Sequence, residues 1–184
     1  MSNPNEKITY QGRLIEIFEI PAPPGHKVKV FENARRSPGV RVIIPKDNTI
    51  LLSKEYRYEI EAYDYRLPGG KVYDSLEEYN SALKTNVDIT EAAKAAATRE
   101  AAEEAGIKIS DMSFFHKSIC GATIIWDLFY FVAGNYEKTA KDSQAGEDIT
   151  VEYIDSKEVE AMCLDGRISE ERSALVLLRY LKNH

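Results

Sequence analysis

Three glutamates, Glu100, Glu103 and Glu104, stand at i, i+3 and i+4 in the run Arg99-Glu100-Ala101-Ala102-Glu103-Glu104-Ala105-Gly106-Ile107. On an α-helix those offsets fall within about 100° of arc, so three carboxylates share one face. Like charges held that close repel unless a cation sits between them, and clustered hard oxygen ligands suit Mg2+, with Mn2+ as a substitute. Taken alone, an acidic helix face is more often simply solvated. The surroundings shift that balance: Leu67-Pro68-Gly69-Gly70-Lys71 lies upstream, Glu91 stands eight positions before Arg99, and Gly106 ends the helix where a left-handed cap residue is expected.

Elements must exist to hold these groups. The N-terminal part alternates as strands do, over Lys7 to Ile20 and Lys27 to Glu32, with Pro21 to Gly25 as a turn-rich link. Gly39 to Pro45 and Thr49 to Tyr58 bracket Lys46-Asp47-Asn48 and read as a hairpin. Asp74 or Ser75 can cap a short helix with Leu76, Tyr79 and Leu83 on one stripe. After the acidic run, Met112 to Lys117, Trp126 to Ala133 and Ile149 to Ile154 are strand-like. Ser156 opens a helix offering Val159, Met162 and Leu164 for burial. Ser169 opens another whose apolar stripe is Leu175, Leu178 and Leu181. No repeats or low-complexity segments appear.

The segment from Leu67 to Ile107 resembles the Nudix box, G-x5-E-x7-R-E-U-x-E-E-x-G-U with U apolar. From Glu91 to Ile107 every fixed position matches, Ala101 standing where a larger aliphatic is usual. Between Gly70 and Glu91 twenty residues replace five. On a helix starting at Glu91 the eight-residue separation is about 12 Å, so an ion pair between Glu91 and Arg99 is not implied and a supporting role is left to Glu91. The resemblance continues through Arg35 to Val42, Glu55-Tyr56-Arg57-Tyr58 and Asp165-Gly166-Arg167-Ile168, and looks like the ADP-ribose pyrophosphatase branch.

That resemblance implies an α/β fold: a Nudix-type α/β/α sandwich with a mixed sheet and an extra N-terminal antiparallel strand element. It implies one domain over residues 1–184, with residues 1–37 as a strand extension used in a homodimer across which substrate sites are shared. The implied reaction is Mg2+-dependent attack of water at phosphorus in a diphosphate linkage. Metal ligands carried over are Glu100 and Glu104, then Glu103, with the backbone carbonyl of Gly69. Glu103 and Arg99 are carried over as catalytic box residues. The general base in this branch often comes from a loop after the box, which the run Lys141 to Ile149 resembles. Glu147 is its candidate, as base or further metal ligand. Ala145 stands where relatives carry another glutamate, so Asp142 or Asp148 could share the role.

Guanidinium forks bind phosphate oxygens through paired hydrogen bonds. Arg57 matches a substrate position of the branch, and Arg35, Arg36 and Arg66 are expected near the mouth. Tyr58, Tyr65 and Trp126 are available either for core packing, the commoner role at strand spacing, or for stacking a base. The branch's usual Ser-Pro-Gly turn is replaced by Ser118-Ile119-Cys120-Gly121, which keeps nucleoside diphosphate sugars other than ADP-ribose open as substrates.

Composition sets the outer bounds. A chain of 184 residues supports one substantial core, and 43% hydrophobic with 29% charged residues is globular. A net charge of -6 disfavours general affinity for nucleic acid or anionic membrane. The polar N-terminus and the lack of a long apolar run imply a cytoplasmic protein. Cys120 and Cys163 read as thiols and the three histidines as uninvolved. Two other roles would leave their own marks in the sequence. A ligand sensor on this fold should have lost box carboxylates, and an RNA-processing relative should carry a basic groove.

Overall fold

The structure is a computed structural model that describes residues 5–58, 60–85, 87–139 and 149–184. Its elements are β1 (Lys7–Gln11), β2 (Ile15–Pro21), β3 (Val30–Arg36), β4 (Gly39–Ile43), β5 (Pro45–Lys46), β6 (Thr49–Arg57), β7 (Ala62–Arg66), α1 (Leu76–Lys84) and α2 (Ile89–Ala105). After these come β8 (Ile107–Ile109), β9 (Met112–Ser118), β10 (Ile124–Ile125), β11 (Leu128–Ala133), β12 (Tyr136–Lys138), β13 (Ile149–Asp155), α3 (Ser156–Asp165) and α4 (Glu171–Asn183).

Period-two alternation in β11 divides the molecule into layers. Phe129 and Phe131 join Val40, Val42 and the alanine face of α2 (Ala93, Ala96, Ala97, Ala101). Leu128 and Tyr130 join Ile43, Leu52 and the helices α3 and α4 through Val159, Met162, Val176 and Leu177. Helices therefore cover both sides of the sheets, the α/β/α arrangement. Pairing is mixed: β11 runs parallel to β4 and antiparallel to β9. β1, β2 and β3 form an antiparallel N-terminal sheet to which the short β10 adds in parallel.

Several local expectations change: Leu164 of α3 is exposed, and Glu170, not Ser169, stands at the cap of α4. The hairpin around Asp47 is made by β5 and β6, because the chain crosses between sheets near Ile44 and β4 takes β11 as its partner. Asp155, whose carboxylate accepts from the Lys157 amide at 2.9 Å, caps α3 in place of Ser156. In α4 the buried stripe is Ala174, Val176, Leu177 and Tyr180, while Leu175 is half exposed. Two apolar stripes overlap in this leucine-rich helix, and packing chooses between them.

The insertion behaves as its capping signals foretell. Ser75 caps α1 by accepting from the Glu78 amide, and Leu76 and Tyr79 are buried. The helix lies on the N-terminal sheet, where Asn80 Nδ2 donates to Glu16 Oε2 at 3.0 Å. No helix among the described residues is long and apolar enough to cross a membrane.

Candidate active site

α2 starts at an Asp88 cap and stops where Gly106 adopts φ 62°, ψ 41°, the left-handed conformation a non-glycine residue disfavours. Its acidic face meets the glycine turn. Residues 67–72 run antiparallel to β4: the amides of Val40 and Val42 donate to the carbonyls of Gly70 and Pro68, each at 2.9 Å. Gly69 has φ +150°, and a Cβ there would collide with the Val40 backbone. A Cβ on Gly70 would fall inside the Glu100 carboxylate. Two glycines thus let a stretch of main chain lie directly over the first carboxylate of the helix.

The three carboxylates are arranged unequally. Arg99 reaches Glu100 Oε1 at 2.8 Å, Glu103 Oε2 at 3.0 Å and the Lys71 carbonyl at 3.3 Å. Glu104 Oε2 accepts from the Gly69 amide at 2.9 Å. Among the described residues no three His, Cys, Asp or Glu side chains converge on one point as they stand, because Arg99 occupies two of the box carboxylates. The donor chemistry nonetheless fits a hard cation. Burial pushes the Glu100 carboxyl above its usual range, against the pull of Arg99 and with the push of Glu103, so this buried anion is short of positive charge. The missing Cβ at Gly70 leaves room over it.

Beside this helix lies a cleft of about 930 Å³, walled by Gly69, Gly70 and Lys71 at one end and by the start of α4 at the other. Arg36, Arg41, Arg57, Arg66 and Arg172 line it. Arg57 pairs with Glu55 at 3.1 Å, while its Nε is buried without a hydrogen-bond partner among the described residues. Arg66 pairs with the buried Asp64, which also accepts from the Ser169 amide. Beneath the cleft Glu170 accepts from Arg41 Nε at 3.2 Å and from Ser173 Oγ at 2.6 Å. The Ser173 proton is spent on Glu170, so the Tyr130 hydroxyl, 3.1 Å away, donates to Ser173.

The NUDIX domain family model matches residues 35–173, about three quarters of the chain. The chain belongs to the Nudix family. A solved structure of an ADP compounds hydrolase shares this Nudix fold with a TM-score of 0.64, over 100% of this chain and 97% of that one, at 17% identity. Comparison with curated proteins gives no match. The protein is a Nudix hydrolase, and the matched region contains the box, the arginine cleft and the first residues of α4.

The Nudix cleft gathers three of the four arginines expected to meet substrate. Arg36, Arg57 and Arg66 line it, and Arg35 does not. Neighbours on a strand point to opposite faces, so Arg35 turns away to the buried Glu16, at 2.6 Å, and to Glu6, at 2.9 Å. Glu147 lies outside the described residues, as do Asp142 and Asp148. Tyr65 packs on the second core and Tyr58 is exposed. Arg41 and Arg172 were missed in the sequence. The available signals were a charge inside the apolar run Val40 to Ile44 and a cation in the first turn of a helix, where the dipole disfavours it.

Proposed function

We propose that this Nudix hydrolase cleaves the diphosphate linkage of ADP-ribose or another nucleoside diphosphate sugar, releasing a nucleoside monophosphate and a sugar phosphate. The observation that carries this reading is the meeting, at Gly69-Gly70-Lys71, of the box carboxylates with an arginine-walled cleft. A volume of about 930 Å³ suits a dinucleotide-sized ligand, near the upper end of roughly 300–1,000 Å³ for small-molecule sites. The ADP-compound activity named for the structural neighbour points the same way.

Glu100, Glu104, Glu103 and the Gly69 carbonyl are the proposed ligands of Mg2+, with Mn2+ as a substitute. Bound there, the cation supplies Lewis-acid neutralisation of the diphosphate oxygens. Arg36, Arg57 and Arg66 grip the phosphates, Arg57 with a fork nitrogen that has no other partner among the described residues. Arg99 holds Glu100 and Glu103 in register, and a cation bound there would share their charge with it. Glu147 is the proposed acceptor of the proton from the attacking water. Arg35 belongs to the proposed set only indirectly, through the strand it shares with Arg36.

A homodimer built through residues 1–37 forms part of the same proposal. Ile8, Tyr10, Ile15 and Val30 of the N-terminal sheet are exposed, and Leu14, between β1 and β2, lines the cleft. The test is hydrolysis, with Mg2+ present, of a panel holding ADP-ribose, other nucleoside diphosphate sugars, NADH, diadenosine polyphosphates and nucleoside triphosphates. Preferential cleavage of one diphosphate-linked sugar supports the reading. Turnover of triphosphates alone would refute it, and silence across the panel alongside measurable Mn2+ binding would favour a ligand sensor.

A further inference from the structure

Trp126 carries two guanidinium groups. The Arg36 and Arg172 carbon centres each lie 4.3 Å from its ring centroid. Arg172 NH1 also donates to the Trp126 carbonyl at 2.8 Å, which fixes the side chain of the helix to the residue it stacks on. All three residues line the cleft, and the indole nitrogen lies near Gly39, close to where the Gly70 carbonyl faces the same glycine.

Charge within this group does not balance. Arg36 makes no ion pair among the described residues, and Arg172 comes only within 4.0 Å of Glu170, which already serves Arg41. Glu170 thus serves Arg41 and Arg172 and acts on Arg36 only at longer range, while Glu171, which also lines the cleft, makes no ion pair with any of the three among the described residues. Arg172 NH2 is buried and has no hydrogen-bond partner among the described residues. Burial, then the charges of Arg172 and Arg41, push the Arg36 guanidinium below its ordinary pKa. Groups left short of an anion in this way, yet held rigidly, are preorganised for one.

We propose that Arg36 and Arg172, mounted on Trp126, form the subsite for a phosphate of the substrate, and that Trp126 positions guanidinium groups and does not stack the nucleobase. The indole surface is committed to cations, so recognition of the base falls to other residues. This inference rests on the nucleoside diphosphate reading, deepening it by assigning Arg172 as a phosphate-binding residue and Trp126 as a positioning residue.

The chain contains a single tryptophan, so its emission reports on this stack alone. The experiment is titration of the full-length protein, without divalent cation, with inorganic pyrophosphate, ADP and adenosine. Pyrophosphate and ADP should each change the emission saturably, with adenosine leaving it unmoved. Arg172→Ala should weaken pyrophosphate about tenfold or more, with Arg172→Lys recovering part, since lysine restores charge without the fork. By calorimetry, Trp126→Leu should match the loss in Arg172→Ala and Trp126→Phe should retain most affinity, because a smaller ring still faces the cations. Adenosine changing the emission as fully as ADP does, with pyrophosphate inert, would overturn the proposal in favour of base stacking. So would wild-type pyrophosphate affinity in Arg172→Ala. Because these titrations need no turnover, the subsite stands if pyrophosphate binds as described in a protein that cleaves no nucleotide sugar. Cleavage accompanied by an unmoved emission sinks the subsite alone.

Discussion

The Gly69 amide donates to Glu104 Oε2 at 2.9 Å, tying the glycine turn to the last carboxylate of the box helix. The turn is in turn bonded to β4 through Val40 and Val42. A carboxylate on a helix is thereby referenced to a sheet strand, and the position of Glu104 depends on both. In Glu104→Gln the amide oxygen can still accept from Gly69, so the turn should stay in place while the charge is lost. Melting temperature should change little, and Mn2+ affinity should fall about 10–100-fold with a matching loss of turnover at fixed Mg2+. Calorimetric Mn2+ titration equal to wild type would remove Glu104 from the metal set.

Gly70→Ala tests the space above Glu100. The added methyl overlaps that carboxylate, so the helix or the turn must move, at a cost of about 1–3 kcal/mol in denaturant unfolding. Turnover should fall together with metal affinity, and added Mg2+ should not restore it fully. An active, unperturbed Gly70→Ala protein would mean that Glu100 points elsewhere.

Glu100 is costly to the metal-free fold, because burial raises its carboxyl more than Arg99 lowers it. Glu100→Gln should therefore melt above wild type without metal, and lose the stabilisation that Mg2+ gives wild type. Differential scanning fluorimetry with and without Mg2+ reads both effects. A drop in the metal-free melting temperature would show that the pair with Arg99 outweighs burial.

The Glu170 network predicts an acid-side stability change. Burial would raise this carboxyl, but Arg41, Ser173 and Arg172 together hold it below its usual value near 4.5. A depressed acid binds fewer protons folded than unfolded, so its contribution is full above about pH 4.5 and disappears as pH falls through the lower folded value. The stability advantage of wild type over Glu170→Gln, measured by urea midpoints, should be greatest near neutrality and shrink below about pH 4.5. A difference that stays constant across that range would place the contribution in packing.

Arg35 and Glu16 form a buried pair, and removing Arg35 strands the buried Glu16 charge, whereas removing Glu16 leaves Arg35 still paired with Glu6. Arg35→Ala should cost about 3–5 kcal/mol, well above the cost of replacing both residues by apolar ones of similar volume. Equilibrium unfolding of the single and double variants checks this. Additive losses would contradict the coupling.

Much of the site could be read locally. Glu100, Glu103 and Glu104 share a face because of helical spacing, and Gly106 closes that helix by its own conformational freedom. Ser75 announces α1 in the same way. What could not be read depends on distant partners. The exchange of sheets at Ile44 is invisible because β4 meets β11 some ninety residues on. The opposed directions of Arg35 and Arg36 require the strand register, which neighbouring residues do not reveal. Arg172 meets Trp126 across 46 residues of sequence, and no periodicity links them. The leucine spacing of α4 pointed to Leu175, Leu178 and Leu181, and packing against α3 and β11 buried Ala174, Val176, Leu177 and Tyr180 instead.

Glu16 sits at a junction whose meaning is architectural. Glu16 itself lies before the NUDIX match, and it accepts from Arg35, the first matched residue, and from Asn80 of the inserted helix, so one carboxylate ties the strand extension to the segment that lengthens the box. The two additions are therefore a single graft. Shortening the loop between Gly70 and Glu91 to the common five residues would uncap the strand extension, and trimming the extension would leave the helix without its anchor. Chimeras that exchange these pieces with a relative should succeed only when both travel together.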